Sequence, residues 1–304
     1  MFSGKRVKPL TPYFLILPAV LAMLLVHFFP IIWGVMISFR DLDIFTISNW
    51  TKAPFVGLDN FRWAFSFDQQ EGQNFLRSLY NIVLYGGITI SLGYVIALAV
   101  AILLNQKFFG RTIVRGLVLL PYIMPDSVAY SVWRFIFQSR IGIVNQYLIS
   151  LGLLKEPVVW LVGPRAMTAV IIASIWKGWP LGCLLLLAAL QSVPREIKDA
   201  ALSDGATPWQ VFRYVTFPFL KPVSKIYILL SIIWNFHAFN QFKAMLGSSP
   251  GYYAEVPSTL ILREAFQNFH FGLGAAMSMG LVVLTVVIAV VYARLFQPGK
   301  TIEE

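Results

Sequence analysis

The sequence predicts an all-α, polytopic membrane protein with six transmembrane helices. Of its 304 residues, 58% are hydrophobic and only 12% are charged, against roughly 25% charged in an average soluble domain. Six apolar segments are long enough, at about 20 residues, to cross the hydrocarbon of a bilayer. We therefore expect one transmembrane domain over 1–304, embedded in lipid, with spans at about 12–39, 75–104, 113–137, 164–190, 222–246 and 270–296.

The first apolar segment follows a basic N-terminal flank, which a signal peptide would also have. The run over 12–39 is longer than the apolar core of a signal peptide and offers no clear cleavage site. We expect it to be retained as the first span. Several segments contain proline, so we expect kinked helices that pack against protein, where neighbouring groups satisfy the freed backbone atoms.

The placement of Lys and Arg predicts the orientation. With the N-terminus inside, the cytoplasmic segments hold 13 of the 24 Lys and Arg residues and five of the 14 Asp and Glu residues, a net charge of +8 against +2 elsewhere. Both termini are therefore expected in the cytoplasm, and the outer loops at about 40–74, 138–163 and 247–269. The total charge of +10 does not indicate nucleic-acid binding, because long apolar runs separate the basic residues.

The residues offer no catalytic or metal site. Cys183 is alone in an apolar run, and the three His residues are scattered without the spacing of metal ligands. Gly299-Lys300-Thr301 resembles the end of a phosphate-binding loop, but that pattern requires Gly at 294, where Arg294 stands. We expect no metal, cofactor or ATP site on this chain.

A polar stretch over 191–221 interrupts the second half of the chain. It predicts a short helix over 194–201, a reversal at Gly205 and a second helix beginning at Thr207-Pro208, with Thr as N-cap. Two later prolines are expected to stop this second helix and lead into the next span, Pro218 and Pro222. The resulting elbow would be either a plain connection or a docking surface for a cytoplasmic partner.

Within this stretch, Asp199-Ala200-Ala201 is followed after three residues by Gly205 and after nine more by "VTFP", which ends at Pro218. This resembles the EAA loop of membrane subunits of bacterial binding-protein-dependent ABC importers, which reads E-A-A, three residues, G, nine residues, I-x-L-P. Asp199 stands in place of the usual Glu. The segments "FVGLDNF", "LLPYIMP", "IWKGWP" and "FGLGAAMSM" are similar to the carbohydrate-uptake branch, which includes the maltose and glycerol-3-phosphate importers.

The resemblance implies a permease subunit that performs no chemistry itself. The implied partners are a paralogous permease subunit, two ATPase subunits that bind ATP and Mg²⁺, and an extracytoplasmic solute-binding protein or lipoprotein. The implied location is the cytoplasmic membrane of a bacterium or archaeon. In this family residues 191–221 form the coupling loop that docks on the ATPase.

The family also implies a role for each motif residue of the coupling loop. Asp199 would pair with a basic residue of the ATPase, with a reach shortened by one methylene relative to Glu. Ala200 and Ala201 would permit close approach, Gly205 would make the turn, and Pro218 would link the loop rigidly to the next span.

Polar and aromatic residues in the spans on either side of the loop are candidates for the substrate path, because such groups are costly in a membrane. Counted outward from the loop, the sugar-contacting positions of the maltose-type subunit fall on Ser174, Gly178, Leu181, Ser231, Trp234, Asn235 and Ala238. The last four have helical spacing, so we expect them on one helix face. Packing between helices would explain the same residues.

Lys177 lies at the centre of its span and is a further candidate. An ammonium group at that depth is expected to face a cavity or to pair with an acid. It would attract an anionic substrate or serve a structural role, with Asp126 as a candidate partner.

These observations favour a di- or oligosaccharide as the substrate, with glycerol-3-phosphate or a polyol as the alternative. A secondary transporter would need ion-coupling acids within the spans, and Asp126 near a span edge is the one acidic candidate. A membrane-embedded enzyme would need convergent nucleophile, base or metal ligands, which the spans do not offer.

Overall fold

The computed structural model describes residues 11–296, with side chains from Tyr13 onward. Over this range the regular elements are helices, and an isolated bridge joins Arg40 to Phe55. The helices are α1 (Thr11–Met23), α2 (Phe29–Ser38), α3 (Asp59–Ala64), α4 (Gln70–Asn105), α5 (Arg111–Val118), α6 (Leu120–Ile123), α7 (Asp126–Ile136), α8 (Ile143–Ser150), α9 (Ala166–Gln191), α10 (Arg195–Ser203), α11 (Pro208–Gln210), α12 (Phe217–Phe236), α13 (Asn240–Leu246), α14 (Pro257–Phe266) and α15 (Phe271–Leu295). Shorter 3-10 turns lie at Ile47–Lys52 and Gly163–Arg165, and π-helical turns at Leu24–Phe28 and Val211–Thr216.

The predicted fold class is confirmed for the described residues. Five helical rods are long and apolar enough to cross a membrane, namely Tyr13–Ser38, Gln70–Asn105, Gly163–Gln191, Pro208–Phe236 and Phe271–Leu295. The pair Arg111–Ile123 and Asp126–Ile136, third in chain order, passes the same test together but is bent by 88°, so the described residues hold six spans when this pair is counted as one broken span and five otherwise. The termini beyond these bounds, Gly299-Lys300-Thr301 included, lie outside the described residues, and their cytoplasmic location stays a prediction.

Proline does not end the second helix of the coupling loop, which continues into the next span. We expected Pro218 and Pro222 to stop the helix of the coupling loop, and this is wrong, because one continuous helix runs from Pro208 to Phe236. A proline ring clashes with the carbonyl four residues earlier. The π-helical turn Val211–Thr216 immediately before Pro218 widens the helix at that point. The turn Leu24–Phe28 precedes Pro30 in the same way.

The centre of the bundle is the pair α4 and α9, which pack along their length. Small residues at the contact, such as Ala97 and Ala101 on α4 and Ala169 and Ala173 on α9, are fully buried. Small side chains allow two backbones to approach closely, which is how helices associate in a membrane without a hydrophobic driving force. Around this pair lie α12, α13 and α15.

The first span stands largely outside this bundle. In its most apolar window none of the residues is buried by the rest of the chain. The second half of this span, α2, packs against α15. The exposed side chains are large and apolar, including Leu15, Leu25 and Phe29. Lipid or another subunit must therefore cover this helix.

At the end of the bundle away from the coupling loop, polar contacts fix the connecting segments. The Asn81 side-chain amide donates to the carbonyls of Tyr252 (3.0 Å) and Glu255 (2.8 Å). Arg263 Nη1 lies 2.7 Å from Glu255 Oε1. Burial raises the pKa of Glu255 above its ordinary value, and the Arg263 charge opposes that rise. These contacts hold the 247–269 connection on α4.

Gly272 allows the first turn of α15 to touch the backbone that follows α2. Its amide donates to Leu42 O at 3.1 Å, and a Cβ at this position would overlap the carbonyl oxygen of Arg40. The obstacle is backbone, which cannot rotate away as a side chain would.

We therefore expect Gly272→Ala to destabilise the fold by about 1–3 kcal/mol, the usual cost of overpacking. Thermal unfolding of the purified protein in detergent measures this as a lowered melting temperature. Gly87→Ala is the matched control, because Gly87 is also helical but has no atom within 4 Å of its Cβ position. Equal melting temperatures for the two variants would contradict the close approach.

Candidate functional site

A cavity of about 580 Å³ lies in the middle of the bundle. Its walls come from α4, α9, α12, the start of α13, and α6 and α7 with the break between them. This volume falls within the range of about 300–1,000 Å³ that is typical of small-molecule pockets. The cavity is the site at which a solute could reside within the membrane.

The structure brings most of the predicted path residues together at this cavity. Seven of the eight line its walls, namely Ser174, Lys177, Gly178, Leu181, Ser231, Trp234 and Asn235. They come from two helices, α9 and α12, that flank the coupling loop.

Ala238 does not join them, and our expectation that it shares a helix face with Ser231 is wrong. The helix ends at Phe236, and the amide of Ala238 bonds Asn235 O in a tight turn. Ala238 is buried, and its carbonyl accepts from the Ser258 hydroxyl. Helical spacing therefore stops applying two residues before this position.

The α12 wall combines a polar group with an aromatic face. Asn235 Nδ2 donates to Ser231 O at 2.7 Å, and the Thr89 hydroxyl lies 3.1 Å from Asn235 Oδ1. Trp234 is 54% exposed and lines the cavity, so its indole can offer a flat apolar surface there. On the other side, Gln241 Nε2 donates to the Tyr85 hydroxyl at 2.9 Å. Amides and hydroxyls beside a flat apolar surface suit a polyhydroxylated ring.

The opposite wall is a broken helix held by one lysine. The ammonium of Lys177 lies 3.3 Å from Pro121 O, 3.3 Å from Tyr122 O and 2.7 Å from Met124 O. It also lies 3.1 Å from Asp126 Oδ1. The predicted pairing with Asp126 is therefore confirmed. We call Lys177 and these four oxygen partners the clasp.

The sequence around the break explains why a lysine is needed. Pro125 has no N–H and adopts an extended conformation, so α6 ends at Ile123 with its last carbonyls unpaired within the helix. Bare carbonyls are very unfavourable in a membrane. A cation at the C-terminus of α6 and an acid at the N-terminus of α7 both also match the helix dipoles. The clasp satisfies all of these groups at once.

The coupling loop is a helix-turn-helix, as predicted from the sequence. Gly205 has φ of +85°, in the left-handed region that favours glycine, and it reverses the chain after α10. Thr207 is the N-cap of the second helix. The Thr207 amide donates to Gln210 Oε1 at 2.7 Å, which completes a capping box. Asp199, Ala200, Gly205 and Pro218 are exposed, and Ala201 is half-buried.

Sequence reasoning missed several residues of the cavity wall. Tyr85 and Thr89 lie one helical turn apart on α4, and Tyr130 and Tyr227 come from α7 and α12. The spacing of Tyr85 and Thr89 is a usable signal, since two polar groups on one face of a long apolar helix indicate a polar neighbour. Tyr130 and Tyr227 carry no such signal.

Comparison with known sequences identifies related proteins. The family described as binding-protein-dependent transport system inner membrane component matches residues 89–299. The trehalose/maltose transport system permease protein MalF of Thermococcus litoralis is 31% identical over 285 residues, which cover 93% of this chain and 92% of the relative. The sn-glycerol-3-phosphate transport system permease protein UgpA of Yersinia enterocolitica is 30% identical over 286 residues, covering 93% and 92%.

Comparison with solved structures identifies the same fold. A chain of a bacterial ABC transporter involved in the import of the acidic polysaccharide alginate superposes with a TM-score of 0.81 at 22% identity, covering 95% of this chain and 96% of that one. A chain of the bacterial alginate ABC transporter in complex with an alginate pentasaccharide-bound periplasmic protein gives 0.79, at 22% identity and with 94% and 93% coverage.

The clasp predicts a large effect of Lys177→Met on stability. The substitution leaves three carbonyls and the Asp126 carboxylate without their cation, and an unsatisfied buried group costs about 1–3 kcal/mol. Thermal unfolding in detergent should therefore give a clearly lower melting temperature.

The matched control is Lys155→Met, which makes the same change at an exposed loop position. Combining Lys177→Met with Asp126→Asn should destabilise by less than the sum of the two single changes, because both act on one ion pair. If Lys177→Met has the same melting temperature as the wild type, the clasp does not hold the break.

Proposed function

The chain belongs to the inner membrane components of binding-protein-dependent transport systems, and on that premise we propose that it forms part of the path of a di- or oligosaccharide through an ATP-driven ABC importer. It is a multi-span membrane permease, a transport component rather than an enzyme. The observation that carries the sugar assignment is the cavity between α4, α9 and α12. We keep glycerol-3-phosphate or a polyol as the second candidate, because a relative is named for sn-glycerol-3-phosphate transport.

The chemistry of the cavity supports a sugar. Hydroxyl and amide groups such as those of Ser231 and Asn235 can match the hydroxyls of a sugar, and the exposed indole of Trp234 can cover the apolar face of a pyranose ring. Carbohydrate transport also fits the relative named for trehalose and maltose.

We propose the following assembly. This chain pairs with a paralogous permease subunit, two cytoplasmic ATPases bind ATP and Mg²⁺, and an extracytoplasmic binding protein delivers the solute at the loops 40–74, 138–163 and 247–269. The complex lies in the cytoplasmic membrane of a bacterium or archaeon, with both termini of this chain inside. The exposed first span supports the assembly, because its apolar surface needs a cover.

The coupling loop would transmit ATPase closure to the cavity. Asp199 and Ala200 are exposed on α10, which suits an ion pair and close contact with an ATPase cleft. Pro218 lies within the unbroken helix that continues from the loop to Ser231 in the cavity wall. A push on the loop would therefore move a cavity wall directly.

A secondary transporter is the remote alternative. It would use a carboxylate within the spans to couple ion flow. Among the cavity walls described here, Asp126 is the acidic residue, and its Oδ1 atom is held by Lys177 at 3.1 Å. That pairing favours a structural acid over a proton carrier.

The sugar assignment is tested by ATP hydrolysis in the assembled transporter. Purified with its partners and reconstituted, the complex should hydrolyse ATP faster when the binding protein is loaded with a disaccharide. Uptake by the Trp234→Ala variant should fall by on the order of tenfold, since burying a large apolar side chain is worth about 1.5–3 kcal/mol, and Trp234→Phe should retain most of it. If no loaded binding protein among a panel of sugars, polyols and glycerol-3-phosphate stimulates hydrolysis, the importer assignment fails.

The coupling role predicts that Gly205→Asp separates ATP hydrolysis from uptake. The variant forces a side chain into a left-handed conformation and adds a charge at the ATPase contact. Gly110→Asp is the matched control, because Gly110 has φ of +79° and open space around it but lies outside the coupling loop. Reconstituted vesicles should show lost uptake for Gly205→Asp alone, and normal uptake by that variant would exclude the role.

A further inference from the structure

The cavity walls carry one charge of each sign, and the negative one is the more exposed. Among the residues that the structure describes there, the charged side chains are Lys177 and Asp126, and they form an ion pair of 3.1 Å. The remaining polar side chains are neutral hydroxyls, amides and indoles, including those of Thr89, Ser174, Ser231, Asn235 and Gln241. The cavity therefore offers no free positive charge from this chain.

Lys177 cannot serve as an anion-binding group while the clasp is closed. An ammonium has three N–H donors, and its nitrogen already has four oxygens within 3.3 Å. The side chain is only 10% exposed. Turning it toward a substrate would strip the carbonyls of Pro121, Tyr122 and Met124 of their donor in the membrane.

Asp126, in contrast, lines the cavity and is only half-buried. Its side chain is 47% exposed, with Oδ1 on Lys177 and Oδ2 at 3.4 Å from Asn240 Nδ2. A carboxylate has about four acceptor positions, so this group can still accept hydrogen bonds from hydroxyls. A phosphate or a uronate in the cavity would meet this half-exposed carboxylate before the ammonium of Lys177, which is only 10% exposed, and like charges repel.

We propose that Asp126 makes this cavity selective for uncharged, polyhydroxylated solutes. The carboxylate accepts hydrogen bonds from sugar hydroxyls and disfavours solutes that carry a phosphate or a carboxylate. The inference rests on the proposed function, since it concerns the same cavity, and it selects the neutral saccharide over the glycerol-3-phosphate alternative. It makes Asp126 a specificity-determining residue, in addition to its contact with the clasp.

The test compares two forms of one solute in the membrane complex without its binding protein, so that only the cavity selects. The probes are the disaccharide that gives the largest stimulation of ATP hydrolysis and the phosphomonoester of that same disaccharide. Equilibrium dialysis of the purified complex measures both dissociation constants. We expect the wild type to prefer the neutral form by on the order of tenfold or more, from like-charge repulsion at close range.

Asp126→Asn should reduce this preference by on the order of tenfold, mainly by tighter binding of the phosphorylated form. Asp126→Glu keeps the charge and should keep the preference. Asp68→Asn is the matched control, because it removes the same charge at an exposed position outside the cavity. Melting temperatures of the variants show whether each complex remains folded.

Equal affinity of the wild type for both forms would overturn the inference and leave the sugar function standing, because hydrolysis would still respond to the sugar. An unchanged preference in a folded Asp126→Asn complex would overturn it as well. The proposed function fails in a different assay, when no saccharide stimulates hydrolysis at all.

Discussion

The ammonium of Lys177 holds together a helix that proline has broken. Three backbone carbonyls and one carboxylate converge on it within 3.3 Å. Without a cation at this point, the end of α6 would present bare carbonyls to a medium that cannot hydrogen-bond them. The 88° bend between the two halves of the third span is therefore compatible with the membrane only because α9 supplies this side chain.

The cavity depends on that bend. The break brings residues 122–126 to the cavity, where they form one wall together with residues of α4 and α12. The opposite wall, on α12, is joined to the coupling loop by a single helix, and Leu220 packs fully buried in one cluster with Leu186 of α9. Both helices that flank the coupling loop thus reach the cavity as a packed unit. In the proposed importer this connection would carry the ATPase movement to the solute.

The sequence alone predicts much of this arrangement, and the failures have physical causes. A lone Lys in the middle of a span demands a partner, which makes the pairing of Lys177 with Asp126 predictable. Its three carbonyl partners are not predictable in this way, because backbone atoms leave no trace in residue identity. Ala238 was misplaced because a tertiary contact with Ser258, and not helical spacing, sets its position. Pro218 was misread because a π-helical turn absorbs the proline that would otherwise end the helix.

The most direct measurement of the central claim is an electron cryo-microscopy structure of the assembled transporter with a neutral disaccharide in the membrane cavity. The account predicts sugar density against Trp234 and Asn235, a sugar hydroxyl on Asp126, and Lys177 still bound to the carbonyls of residues 121–124. Sugar density away from this cavity, or a Lys177 side chain that has left the carbonyls to contact the sugar, would contradict it.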